Sequence, residues 1–271
     1  MSADALNELI TQNKDRRESS EKEKDEDIPE IKEKDRALLG EYFKFVNREA
    51  SINILIKHSA EQYALYGQEG GVPERQIQWA ACSGGPGLGK TTFCRKAFTK
   101  SIDSLQGEDG DALWRDVPTK KDFLPVVQAC VETGRQYQIS FGGSVPGDRE
   151  LRDPEKSFSY RLLKCLTKGK KVKKVYFEHA PALREVLSTL TKGKKESLIV
   201  VNFDETNKVL EMEGTGKTYL MNLLAAVADF NAHQEGFVFC IMSGTNVRDL
   251  HDTLKAASHG SPPPLRSHCH Y

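Results

Sequence analysis

Residues 82–93 read CSGGPGLGKTTF, in which Gly84, Gly89, Lys90 and Thr91 fill the pattern G-x-x-x-x-G-K-[ST] completely. These residue types suit a phosphate. Glycines allow a loop tight enough for its backbone N–H groups to converge on phosphate oxygens, and a helix starting at the loop's end adds positive potential at the same place. Lys90 then bridges the β- and γ-phosphates, and the Thr91 hydroxyl ligates Mg²⁺. The expected binding residues are Gly84, Gly85, Pro86, Gly87, Leu88, Gly89, Lys90, Thr91 and Thr92, with Pro86 stiffening the loop.

A magnesium-bound phosphate chain also needs a carboxylate at the tip of a neighbouring strand. Residues 198–205, LIVVNFDE, supply one: five of the six residues before Asp204 are apolar, so Asp204 emerges at a strand end with Glu205 beside it. Asp204 joins Thr91 as a metal-shell residue, and Glu205 orients or deprotonates the attacking water. A second apolar run, FVFCIMSGTN (237–246), ends in polar residues, of which Thr245 and Asn246 are candidates to bond the γ-phosphate or the water.

Positioning these groups requires a sheet. Four short apolar runs, IQWAAC (77–82), YQISF (137–141), SLIVVNF (197–203) and FVFCIM (237–242), are separated by spacers long enough for crossovers. Near-continuous apolar runs suit strands covered on both faces, so the expected fold is a three-layer α/β/α arrangement around a mainly parallel sheet, with its core over residues 72–255. Residues 36–71 carry apolar side chains near helical spacing and read as a helical lead-in. Residues 1–35 are charged and poor in large apolar side chains, the composition of a disordered tail. After about Ala257 comes SHGSPPPLRSHCHY, read as an irregular tail at 256–271, and no fifth strand or lid is legible there. The expectation is therefore a sheet truncated at its C-terminal side.

A second Gly-Lys-Thr occurs in EMEGTGKTYL (211–220). Glu211 stands where the first glycine belongs and its carboxylate would repel a phosphate. Too few residues separate it from Asp204 for a strand and crossover of its own. The segment reads as the mobile connection before a helix at 219–230, with Thr218 as N-cap. Lys217 and Thr218 remain candidates to approach the γ-phosphate of the first site.

With these motifs in place, the chain resembles a known group of P-loop NTPases. FVNREASINIL (45–55) is similar to the F-x-x-R-E-x-x-x-x-x-L stretch that opens many AAA-like ATPases, where it sits by the adenine. Paired acids after an apolar strand resemble the additional-strand, catalytic-glutamate division, in which the sensor strand lies between the loop strand and the acid strand. The order GGPGLGKT, YQISFGG, RLL (161–163), LIVVNFDETN and SGT resembles the ATPase module of Crinkler effectors and retrotransposon hot spot proteins. The resemblance implies Mg-dependent ATP hydrolysis that drives a conformational switch. A nucleotide-bound interaction module with weak turnover, and a small-molecule or nucleoside kinase, stay open as alternatives. Arg161 and Arg248 are arginine-finger candidates, each read as a solvated surface residue. Oligomer formation also stays open.

The rest of the composition narrows the setting. Lys plus Arg and Asp plus Glu balance at 39 each, so no global charge recruits nucleic acid or an anionic membrane. Only local patches remain, at 164–174 and 191–196, where positive charge could meet nucleic acid or a protein partner. No apolar run is long enough to span a bilayer, and the N-terminal sequence lacks a signal-peptide layout. Six cysteines without a CxxC pair suit reduced thiols, and the chain reads as intracellular, cytoplasmic or nuclear.

Overall fold

Leu198–Asp204 carries apolar side chains on both faces, and all seven of its residues are buried. That burial follows from its place in the sheet. The computed structural model describes residues 48–67, 79–85, 87–106, 114, 115, 117, 119–167 and 176–245, together with the backbone of 268 and 269. In chain order the elements are α1 (Glu49–Tyr66), β1 (Ala80–Ser83), α2 (Lys90–Asp103), α3 (Lys120–Glu132), β2 (Gln136–Ser140), α4 (Asp148–Arg152), α5 (Pro154–Thr167), α6 (Leu183–Thr191), β3 (Leu198–Asp204), α7 (Thr206–Leu210), α8 (Gly216–Ala232), β4 (Phe237–Gly244) and β5 (His268–Cys269). The four expected strands all form, and the strand order is β2-β3-β4-β1-β5. Every pairing is parallel.

Helices cover both faces, making an α/β fold with three layers. On one face Phe98 of α2 and His58 of α1 meet Phe239 of β4, and Tyr63 of α1 meets Phe123 of α3. On the other, Phe158 of α5 packs edge-on against Phe203 of β3 at 5.2 Å, and Phe141 stacks on Phe203. Because parallel strands are joined by crossovers, all their carboxyl ends lie along one edge. Ser83, Ser140, Asp204 and Gly244 close the four strands there, so β1, β2, β3 and β4 deliver their following loops to one place.

Two expectations are corrected. The tail contains a sheet strand after all: His268 and Cys269 pair in parallel with Ala81 and Cys82 of β1. Two residues with no apolar run give no readable strand signal, since here the backbone ladder alone defines the strand. The helix of the second Gly-Lys-Thr starts at Gly216 with Thr215 as its first flanking residue, so Thr218 lies inside the helix and is not its N-cap. Gly216 is buried, and a Cβ on it would come within 1.7 Å of the Val209 carbonyl oxygen. That glycine serves the close approach of α8 to α7, and no phosphate is needed to account for it.

The proposed 1–35 segment, residues 36–47 and 68–71 of the lead-in and most of 256–271 lie outside the described residues; α1 lies in the described part of the helical lead-in. Among the described residues no helix is long and apolar enough to cross a membrane.

Candidate functional site

The loop after β1 turns into α2 through Gly87 and Gly89, both at φ +77°. A Cβ at either position would meet nothing within 4 Å, so the requirement for glycine is conformational and not steric. Gly89 flanks α2 on its N-terminal side in the left-handed region. The first N–H groups of any helix lack intrahelical acceptors, and here they open toward the loop. Lys90 folds back over that loop and donates to the carbonyl oxygens of Gly84 and Gly85, both at 2.8 Å. Arg48, just before α1, donates to the Leu88 carbonyl at 2.9 Å and ties the start of α1 to the same loop. Thr92 is exposed in the first turn of α2, and Pro86 lies outside the described residues.

The acid strand meets this loop directly. Thr91 Oγ1 donates to Asp204 Oδ2 at 2.9 Å. Asp204 is only 5 % exposed, and a buried carboxylate needs donors. Two more supply them. Gln138 of β2 donates to Oδ2 at 2.9 Å, and Ser243 of β4 donates to Oδ1 at 2.5 Å. Asn202, two residues earlier on the same face of β3, is buried with its amide nitrogen unpartnered, while its Oδ1 lies 3.4 Å from Ser243 Oγ.

Glu205 follows at φ +58°, a left-handed conformation unusual for a glutamate, as it flanks α7. Such backbone outliers gather at functional sites. Its carboxylate is turned toward the end of β2, where Ser140 Oγ donates to Oε2 at 3.2 Å. Gly142 lies directly beneath it: a Cβ there would sit 1.4 Å from Oε2.

The expected residues therefore divide. Lys90, Thr91, Asp204 and Glu205 are brought together at one sheet edge. Strand β4 lies between β1 and β3, where a sensor strand was expected. Its polar tip reaches the site through Ser243, whereas Thr245 is exposed just beyond the strand and Asn246 and Arg248 lie outside the described residues. Arg161 is not a solvated surface residue but 8 % exposed and paired with Glu150, because the loop after β2 folds over it. Ser243, Gln138, Ser140 and Gly142 went unnamed as site residues. For Gln138 and Ser140 the signal was the alternation in QYQIS, where Gln136, Gln138 and Ser140 put polar groups on one face of the edge strand β2.

Of the Lys-rich segments, Lys164 lies over the Tyr160 ring at 5.2 Å, and residues 168–175 fall outside the described part. The 191–196 segment precedes β3, at the sheet edge opposite the loop after β1, and its Lys195 carbonyl accepts from Tyr66.

The chain is thus an all-parallel α/β protein in which the strand before the glycine-rich loop and the acid strand flank a shared polar-tipped strand. In comparisons with known proteins, the chain matches no family model, no curated protein and no solved structure.

Proposed function

We propose that the chain binds a nucleoside triphosphate, ATP by its resemblance to AAA-like P-loop ATPases, together with Mg²⁺, and hydrolyses it. The observation that carries this reading is the Thr91–Asp204 hydrogen bond. It brings a complete phosphate-loop motif and a strand-end carboxylate into one polar centre, across an intervening strand whose Ser243 completes it. The donor set fits the group: a hydroxyl and a carboxylate oxygen are hard ligands of the kind Mg²⁺ takes, with water filling the remaining positions.

Each residue has a task. Backbone N–H groups of the loop and of the first turn of α2 receive phosphate oxygens. Lys90 exchanges the Gly84 and Gly85 carbonyls for phosphate, which costs little because both states keep the ammonium hydrogen-bonded. Thr91 and Asp204 hold the metal, which when bound neutralises charge on the phosphate chain. Gln138 and Ser243 keep the Asp204 carboxylate oriented. Glu205 turns from Ser140 to take a proton from, or orient, the attacking water.

The test measures nucleotide binding and phosphate release on the purified chain. Wild type should do both, Glu205→Gln should bind without release, and Lys90→Ala should lose binding. Binding by wild type with no release would replace the hydrolase reading with a nucleotide-bound interaction module. Full binding by Lys90→Ala would remove the site.

A further inference from the structure

Arg161 on α5 is a buried cation with all three of its guanidinium nitrogens hydrogen-bonded. Its Nε donates to Glu150 Oε1 at 2.7 Å and its Nη2 to Glu150 Oε2 at 3.0 Å, a two-pronged pair. Its Nη1 donates to the Ser144 carbonyl at 2.9 Å, and the guanidinium lies 5.0 Å from the centre of the Phe141 ring. Glu150 is saturated in turn: Oε1 also accepts from Ser157 Oγ, and Oε2 accepts from the Gly147 amide at 3.1 Å. Buried ion pairs are poor stabilisers relative to apolar packing, so what this one secures is geometry.

What it fixes is the segment 141–147. Phe141 is held by the guanidinium face, Ser144 by its carbonyl and Gly147 by its amide. At its start, the Phe141 amide donates to the Asp204 carbonyl at 3.0 Å and so continues the β2–β3 ladder. Gly142, inside this clamped stretch, is the surface against which the Glu205 carboxylate rests. Ser157 also meets Tyr219 Oη at 2.7 Å, which joins the first turns of α8, where Lys217 stands, to the same cluster.

We propose that Arg161 and Glu150 are positioning residues that set the location of the Glu205 carboxylate by clamping the loop after β2. The proposal rests on the reading of Glu205 as the residue that handles the attacking water. Arg161 touches no reacting atom and acts through Phe141, Gly142 and Ser144. A lysine cannot replace it, because one ammonium cannot grip both Glu150 oxygens, reach Ser144 and lie flat on a ring.

The experiment compares wild type, Arg161→Lys and Gly142→Ala as full chains, by ATP turnover, by nucleotide affinity and by amide hydrogen exchange at 141–147. Arg161→Lys should speed exchange across 142–147 by about tenfold or more. It should lower kcat by about tenfold or more, since displacing a reacting group by an ångström can cost a hundredfold, while nucleotide Kd stays within about threefold. Gly142→Ala should reproduce the kcat loss with the ion pair intact, and it carries the test alone if Arg161→Lys does not fold. Unchanged exchange in Arg161→Lys overturns the clamp, and so does unchanged kcat in either folded variant. A parallel fall in affinity and kcat also overturns it, since that is what general loosening produces. If wild type releases no phosphate yet exchange rises in Arg161→Lys, the clamp is supported and the hydrolase reading alone fails.

Discussion

Thr91 Oγ1 and Asp204 Oδ2 are 2.9 Å apart, although 113 residues separate them in sequence. The bond spans from the first turn of α2 to the tip of β3, so the two halves of the proposed metal site are prearranged. Thr91→Val keeps the shape and removes the hydroxyl. The Mg²⁺ concentration needed for half-maximal nucleotide binding should rise by about tenfold or more, with binding in excess EDTA changed by less than about threefold. Isothermal titration across a magnesium series reads both, and an unshifted magnesium requirement would show that Thr91 is not a ligand.

Asp204 and Asn202 make opposite predictions on one strand face. Ser243→Ala removes the 2.5 Å donor to a carboxylate that is nearly inaccessible to solvent, which should cost about 1–3 kcal/mol of stability. Asn202 buries an amide nitrogen with no partner, so Asn202→Val removes an unmet polar group from a central strand. That change should be neutral or stabilising by about 1 kcal/mol. Unfolding free energies from urea titration should place Ser243→Ala below Asn202→Val by at least about 1 kcal/mol. Equal destabilisation would mean that the Asn202 amide has a partner in solution.

The sequence carried the parts of the site that rest on local pattern. A loop motif is contiguous, and an acid pair after an apolar run marks its own strand end, so Lys90, Thr91, Asp204 and Glu205 were legible, as were all four main strands. What stayed hidden depends on register. Ser243 faces Asp204 because β3 and β4 align Phe203 with Met242, and no local feature of FVFCIMSGTN distinguishes Ser243 from Thr245. Arg161 looked like a surface residue because its partner Glu150 comes from a separate short helix. β5 was invisible for a further reason: a two-residue strand has a ladder but no hydrophobic pattern.

Gly216 separates the second Gly-Lys-Thr from the first in a measurable way. In a phosphate loop, substitution there would abolish nucleotide binding. Here a Cβ would strike the backbone of Val209, so Gly216→Ala should destabilise the fold by about 1–3 kcal/mol through overpacking, with nucleotide Kd nearly unchanged in the folded fraction. Lys217, exposed in the first turn of α8, should tolerate Lys217→Ala with no loss of stability beyond about 0.5 kcal/mol. A Gly216→Ala protein as stable as wild type but unable to bind nucleotide would reverse this assignment.

Three buried acids, Tyr66, Tyr219 and Cys240, and the half-buried Tyr63 should set the alkaline limit of stability. Burial pushes the Tyr219 phenol up to about 12, and raises Tyr63, Tyr66 and the Cys240 thiol as well. A group whose folded pKa is raised contributes fully below its unfolded value, and that contribution is lost as pH rises through the folded one. The unfolded chain begins to release these protons near pH 9 for the thiol and near 10 for the phenols, while the folded chain keeps them. Stability should therefore hold to about pH 9 and fall from there toward pH 12. Tyr219 alone contributes a slope of about −1.4 kcal/mol per pH unit between its unfolded and folded values. Tyr219→Phe loses the hydrogen bond to Ser157 at neutral pH but should flatten the decline above pH 10 by about that slope. Urea unfolding of both proteins at pH 8, 9, 10 and 11 makes the comparison. Parallel curves would show that Tyr219 already ionises in the folded state at its ordinary pKa, which its burial between α5 and α8 makes unfavourable.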